Sequence, residues 1–192
     1  MRIIRAGGIV AVPTDTLYGL AADPFSEAAV DRVFAVKGRT AERALPLIAA
    51  DADQIESSLC ALPPVAQALA HAFWPGPLTL LIDAPATLAA DVTGGTGRVG
   101  VRVPAHDVAR AVCRACAIVL TATSANISGQ PAVDDPREVE RTLGARIDLL
   151  IDAGKTNGGP PSTIVDVTGS TPRLVRAGAI AWNEVLACLA RG

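Results

Sequence analysis

Aromatic side chains are scarce in this sequence. Phe, Trp and Tyr make up 3% of 192 residues although half are hydrophobic, so the core has to be built mainly from Ala, Val, Leu and Ile. Net charge of either sign is also missing. The formal charge of -2 excludes a nonspecific polyanion binder, and any basic site must be local. Long apolar runs are absent as well: Asp15, Asp23, Asp83 and Asp91 interrupt the greasiest stretches before the ~18 residues of a membrane span are reached. Arg2 and Arg5 ahead of AGGIVAV imitate a signal peptide, but the apolar part stops at Pro13-Thr14-Asp15 with no convincing cleavage site. The expected location is therefore cytoplasmic, with no membrane partner. Metal ligands are sparse. Cys113 and Cys116 form a lone CxxC, while Cys60 and Cys188 are isolated, so no metal ligand is assigned. The four thiols are expected to pack as small hydrophobes, Cys113 and Cys116 on a helix; thiol redox chemistry is the alternative.

The length is that of one domain, taken as residues 1–192, and is enough to bury a core. Apolar runs predict strands at Ile9 to Pro13, Leu45 to Ala49, Leu78 to Ile82, Val99 to Val103, Ile118 to Ala122, Leu149 to Ile151, Thr163 to Val167 and Arg173 to Val175. Helices are expected from a Ser26 cap to about Val36, then at Ala52 to Cys60, Pro64 to Phe73, Asp107 to Ala115 and Trp182 to Leu189. The best-marked helix starts at Asp135-Pro136-Arg137-Glu138, with an N-cap, a Pro at the first position and an acid at the third, and Gly144 supplies its stop. The alternation is α/β, and the surplus of strands predicts a twisted sheet of mixed parallel and antiparallel pairing flanked by helices.

Two phosphate-binding patterns fail their context. Gly95-Thr96-Gly97-Arg98-Val99-Gly100 fits GxGxxG, but a strand follows it where the dinucleotide motif needs a helix. Gly154-Lys155-Thr156 lacks the earlier P-loop glycine, and Pro160-Pro161 forbid the helix.

Lys37 and Arg39 leave a helix end two residues apart, a spacing that points both side chains the same way if Gly38 lets the segment extend. With Arg43 they concentrate positive charge suited to a triphosphate; a solvated charged turn is the alternative. On this reading Lys37 is an exposed loop lysine whose removal should cost turnover far more than folding stability. Thr121-Ala122-Thr123-Ser124-Ala125-Asn126 follows an apolar strand, so Ser124 and Asn126 project together as neutral groups for phosphate or ribose, or else close a polar turn. Pro13-Thr14-Asp15-Thr16-Leu17-Tyr18-Gly19 brings hydroxyls, a carboxylate and the only tyrosine to a strand end.

PTDTLYGL, KGR, WPGPLTLLI, VGVRVP, TSANISG, PSTIVDV and RAG occur in the order seen in the YrdC-like family, which this chain resembles over most of its length. It is most similar to the short L-threonylcarbamoyladenylate synthases. The resemblance implies a basic concave cleft on the sheet, with Lys37, Arg39, Ser124, Asn126 and Arg176 on the ATP side and Arg43 and Arg98 as further nucleotide candidates. It places Thr16, Arg102 and Ser162 around L-threonine, Arg102 facing its carboxylate as a bidentate fork. Thr40 and Ala44 stand where the family pattern has prolines, which leaves the stiffness of that loop open. The implied reaction joins ATP, L-threonine and bicarbonate, with Mg²⁺ accompanying ATP and Lys37 and Arg39 as the catalytic cations. A separate threonylcarbamoyl transferase acting on tRNA is the implied partner, and direct tRNA contact is left open. The competing reading is a nucleotide- or RNA-binding protein of the same fold without synthase activity.

Overall fold

The computed structural model describes residues 1–38 and 44–191. A short helix α1 (Arg2–Arg5) precedes β1 (Val10–Pro13), which turns back into β2 (Tyr18–Ala21). Next come α2 (Glu27–Lys37), β3 (Leu47–Ile48), α3 (Ala52–Ser58), α4 (Pro64–Phe73), β4 (Leu78–Asp83), β5 (Arg98–Arg102) and α5 (Asp107–Cys116). The chain continues through β6 (Leu120–Thr121), β7 (Thr123–Ser124), α6 (Pro136–Leu143), β8 (Leu149–Leu150), β9 (Thr163–Asp166), β10 (Arg173–Arg176) and α7 (Trp182–Leu189).

The mixed pairing is present, divided between two sheets. One has the order β7-β2-β1-β8 and the other β10-β9-β4-β5-β3-β6. β1 runs antiparallel to β2 and parallel to β8, while β4 pairs antiparallel with β5 and parallel with β9. The expected strand at Ile118 to Ala122 splits, because Leu120–Thr121 joins the larger sheet and Thr123–Ser124 the smaller. Thr121 makes the crossing possible. Its buried hydroxyl donates to Leu20 O at 3.0 Å and accepts from Ala22 N at 2.9 Å, so the polar groups at the junction stay paired where water is excluded.

Successive residues of β1 pack into different clusters, as strand alternation requires. Ala11 joins the main core with Leu20, Val33 and Leu80, whereas Val10 and Val12 pack with Ile48, Ala109, Cys113 and Leu120 beneath α5. Both faces of this strand are covered, which is why it reads as a continuous apolar run.

Helix ends follow the expected chemistry with one exception. Ser26 caps α2 by accepting from Ala29 N, and Gly38 ends it in the left-handed region at φ 62. Asp135 caps α6 through Arg137 N at 2.9 Å. α6 ends at Leu143 with Gly144 as its C-cap, as expected, but Gly144 stays right-handed and a 3₁₀ turn to Arg146 follows. A second left-handed exit, at the end of α5, is taken by Ala117 with φ 60. Among the described residues, no helix is long and apolar enough to cross a membrane.

Candidate functional site

A cavity of about 430 Å³ opens at the ends of strands from both sheets. Thr14 and Thr16 line it from the turn after β1, Thr79 from β4, Arg102 from β5, Ser124 from β7, and Ser162 with Arg176 from the β9–β10 edge.

The first wall is built by Thr14. Its hydroxyl donates to Leu17 O at 2.7 Å and accepts from Thr16 N and Leu17 N, each at 3.3 Å, so the β1–β2 turn satisfies its own backbone. Below it, the Tyr18 hydroxyl donates to Gly154 O at 2.7 Å and accepts from Ala153 N at 3.2 Å, tying the segment after β8 to the same strand.

The opposite wall carries the charge. Arg102 is 8% exposed, yet among the described residues its guanidinium hydrogen-bonds to no protein group; its nearest countercharge is Asp15 Oδ1 at 3.3 Å. That approach lacks hydrogen-bond geometry, because Asp15 Oδ1 has no hydrogen-bond partner. Burial pulls the Arg102 guanidinium below its ordinary pKa; Asp15 opposes the shift and Arg176 adds to it. Arg176 donates through Nη2 to Ser162 O at 2.8 Å and to Ser162 Oγ at 3.1 Å, and Ser162 Oγ lies 2.8 Å from Thr79 Oγ1. Gly178 sets this edge by close approach. A Cβ there would sit 2.5 Å from the Ser162 carbonyl carbon, so the glycine of the RAG segment lets the chain lie against the strand that presents Ser162.

Lys37 departs from expectation. It is the last residue of α2 and 2% exposed, and Gly38 adopts the left-handed cap, where the spacing argument expects extension. Lys37 Nζ donates to Ser124 O at 2.5 Å, Asn126 O at 2.9 Å and Asn126 Oδ1 at 3.0 Å. Ser124 Oγ in turn donates to Asn126 Oδ1 at 2.5 Å. The lysine, the serine and the asparagine therefore converge, but around a buried ammonium, and a buried cation without partners would be strongly disfavoured.

The Sua5/YciO/YrdC family model, described as telomere recombination, matches residues 2–178. This chain belongs to that family. A threonylcarbamoyl-AMP synthase of Pyrococcus abyssi is 39% identical over 182 residues, 95% of this chain and 54% of that protein. A second, from Nitrosococcus oceani, is 37% identical over 167 residues, covering 86% of this chain and 89% of its own length. The structure of P. abyssi Sua5 complexed with L-threonine matches with a TM-score of 0.92 and 38% identity, over 98% of this chain and 55% of that one. The chain thus spans about half the length of the P. abyssi protein and most of the Nitrosococcus protein.

Within this member of the Sua5/YciO/YrdC family, Thr16, Arg102, Ser124, Ser162 and Arg176 share one cavity. Asn126 adjoins it through its bond to Ser124. Arg98 does not join them. It begins β5, four residues from Arg102, and its Nη1 donates to Asp166 Oδ2 at 3.0 Å, beside Arg173 at 2.9 Å. Asp166 competes successfully because it is itself buried and requires partners. Arg39, Thr40 and Arg43 lie outside the described residues; Ala44 lines the cavity.

Thr79 and Asp15 are the residues that pattern reading passed over. Thr79 carried a signal, a polar residue inside the apolar run LTLLI, since a buried polar group is more informative than a buried leucine. Asp15 stood inside a motif already noted, but its pairing with a residue 87 positions away has no local signature. Among the described residues, no group of three or more His, Cys, Asp or Glu side chains could hold a metal ion. Cys113 and Cys116 are buried free thiols, and burial pushes Cys113 up to about 12, far from the thiolate that redox chemistry requires.

Proposed function

We propose that this chain is an L-threonylcarbamoyladenylate synthase, converting L-threonine, bicarbonate or CO2 and ATP into threonylcarbamoyl-AMP and pyrophosphate. The observation that carries the proposal is Arg102, a nine-tenths-buried guanidinium in the cavity wall with its N–H donors uncommitted to the protein. Such a group is poised for a planar anion that can take two parallel hydrogen bonds, and the α-carboxylate of threonine fits that need. The threonine in the P. abyssi Sua5 complex supports the same occupant.

In the proposed reaction the threonine amine, having lost a proton, adds to CO2, and its nitrogen gives up a second proton to solvent as the carbamate forms. A carbamate oxygen attacks the α-phosphorus of ATP, and the bond to the bridging oxygen breaks to release pyrophosphate. No covalent enzyme intermediate is needed. Catalysis then rests on positioning and on neutralising phosphate charge. Arg102, with Thr16 and Ser162, would hold threonine; Arg176, Ser124 and Asn126, with Arg39 and Arg43, would face the nucleotide, and Lys37 would act there by adding positive charge while holding Ser124 and Asn126 in place. Because Arg176 is bonded to Ser162, it stands at the junction of the two substrate sets. Mg²⁺ would enter with the triphosphate, bound mainly by phosphate oxygens and water. The product would pass in the cytoplasm to a transferase that modifies tRNA.

Pyrophosphate release from ATP tests the proposal. It should require both L-threonine and bicarbonate, and omission of either should return the rate to background. Nucleotide binding without threonine-dependent pyrophosphate release would favour the competing reading, a nucleotide- or RNA-binding protein of this fold.

A further inference from the structure

Asp15 has no part in closing its own turn. In the β1–β2 connection the acceptor at the turn is the Thr14 hydroxyl, and the Asp15 carboxylate makes no hydrogen bond among the described residues. It is nevertheless nine-tenths covered, with Oδ1 orphaned 3.3 Å from Arg102. An unpaired buried acceptor is costly, and its flanking neighbours Thr14 and Thr16 both line the cavity. Among the described residues the charged side chains that line that cavity are two arginines, which oppose each other, and the Asp15 carboxylate stands beside one of them. A purely anionic ligand would need only the arginines.

We propose that Asp15 is a specificity-determining residue that makes the Arg102 site select zwitterionic α-amino acids over simple carboxylates. The proposal rests on the synthase reading. In an α-amino acid the amino nitrogen lies about 2.5 Å from the carboxylate carbon, so a carboxylate seated on Arg102 brings its ammonium within the roughly 4–6 Å over which Asp15 attracts a cation. The same negative charge repels a ligand that offers only a carboxylate, and it acts through space without needing to touch the substrate. Carbamate formation turns the ammonium into an anion, so equilibrium binding without nucleotide or bicarbonate isolates this selection step.

Calorimetric titration with L-threonine and with its des-amino analogue 3-hydroxybutyrate tests the idea. The unaltered protein should prefer threonine by about tenfold or more, Asp15→Asn should bring the two affinities together, and Asp15→Glu should keep part of the preference. A fall in both affinities in Asp15→Asn with the ratio preserved would reduce Asp15 to a support for Arg102 and overturn the proposal. An unaltered protein that binds both ligands equally overturns it without any variant. If the unaltered protein binds neither, the synthase reading itself fails, an outcome distinct from the loss of selectivity alone.

Discussion

The Lys37 ammonium meets Asn126 twice, at 2.9 Å through the backbone oxygen and 3.0 Å through Oδ1. The contact joins the last turn of α2 to the segment after β7 across 89 positions of sequence. A residue noted for its charge is thus also a bolt between two walls of the site.

Lys37→Ala should therefore lower folding stability as well as turnover. The lost ammonium leaves Ser124 O and Asn126 O short of a donor in a dry setting, and the cost should be about 3 kcal/mol, the scale of breaking a buried charged interaction. Urea unfolding measures it. Lys155→Ala is the control: its pair with Asp134 at 3.5 Å is largely exposed, and the change should stay within about 0.5 kcal/mol.

Arg102→Ala should raise the KM for threonine about a hundredfold, the value of two charge-assisted hydrogen bonds, and change the KM for ATP much less. Arg102→Lys keeps a charge but loses the fork, and should recover only part of the loss. Steady-state pyrophosphate release gives both constants. Equal increases for the two substrates would remove Arg102 from threonine recognition.

Asp166 should make the fold sensitive to acid. Burial raises its pKa, but hydrogen bonds from Thr168 and Arg173 and the charge of Arg98 outweigh this and hold it at about 2. A carboxylate depressed on folding contributes stability above its unfolded pKa near 3.9 and loses it as pH falls toward the folded value. The contribution is about 2 kcal/mol at neutral pH. Asp166→Asn should remove it, so the variant and the parent should differ in urea midpoint at pH 7 and converge near pH 2.

The thiols should be silent in catalysis. With Cys113 pushed up to about 12 and both CxxC sulfurs buried, a colorimetric thiol reagent at pH 8 should label the half-buried Cys60 and Cys188 first. The Cys113→Ala/Cys116→Ala double variant, if folded, should retain pyrophosphate release. Loss of activity in a folded double variant would revive a thiol role.

Ala117→Gly should stabilise the protein by about 1 kcal/mol, because an L side chain in the left-handed region is strained and glycine is not. Ala117 sits at φ 60 with its N–H bonded to Cys113 O and Arg114 O, so the substitution relaxes the backbone without removing a hydrogen bond. Thermal unfolding reads it directly.

The helix starts were legible because caps are local: Ser26 and Asp135 each bond to a backbone N–H within three residues. The strand runs were legible for a similar reason, since burial on both faces writes itself as a run of Val, Leu and Ile. Less legible was the break at Ala122, where one apolar stretch serves two sheets, because the reason lies in Thr121 reaching Leu20 and Ala22. Gly144 marked the end of α6 correctly, but not its geometry, because a glycine is free to remain right-handed and here it does.

By itself the sequence determined the α/β class and the family, and it singled out several residues that line the cavity, since those readings follow from periodicity, turn chemistry and ordered motifs carried in contiguous residues. Tertiary structure alone decided which charges are spent and which are available. Arg98 is spent on Asp166, Lys37 is sunk among the oxygens of Ser124 and Asn126, and Arg102 is left facing the cavity. The strength of a charge depends on its burial and on partners brought from distant parts of the chain, and neither is written in the neighbours along the sequence.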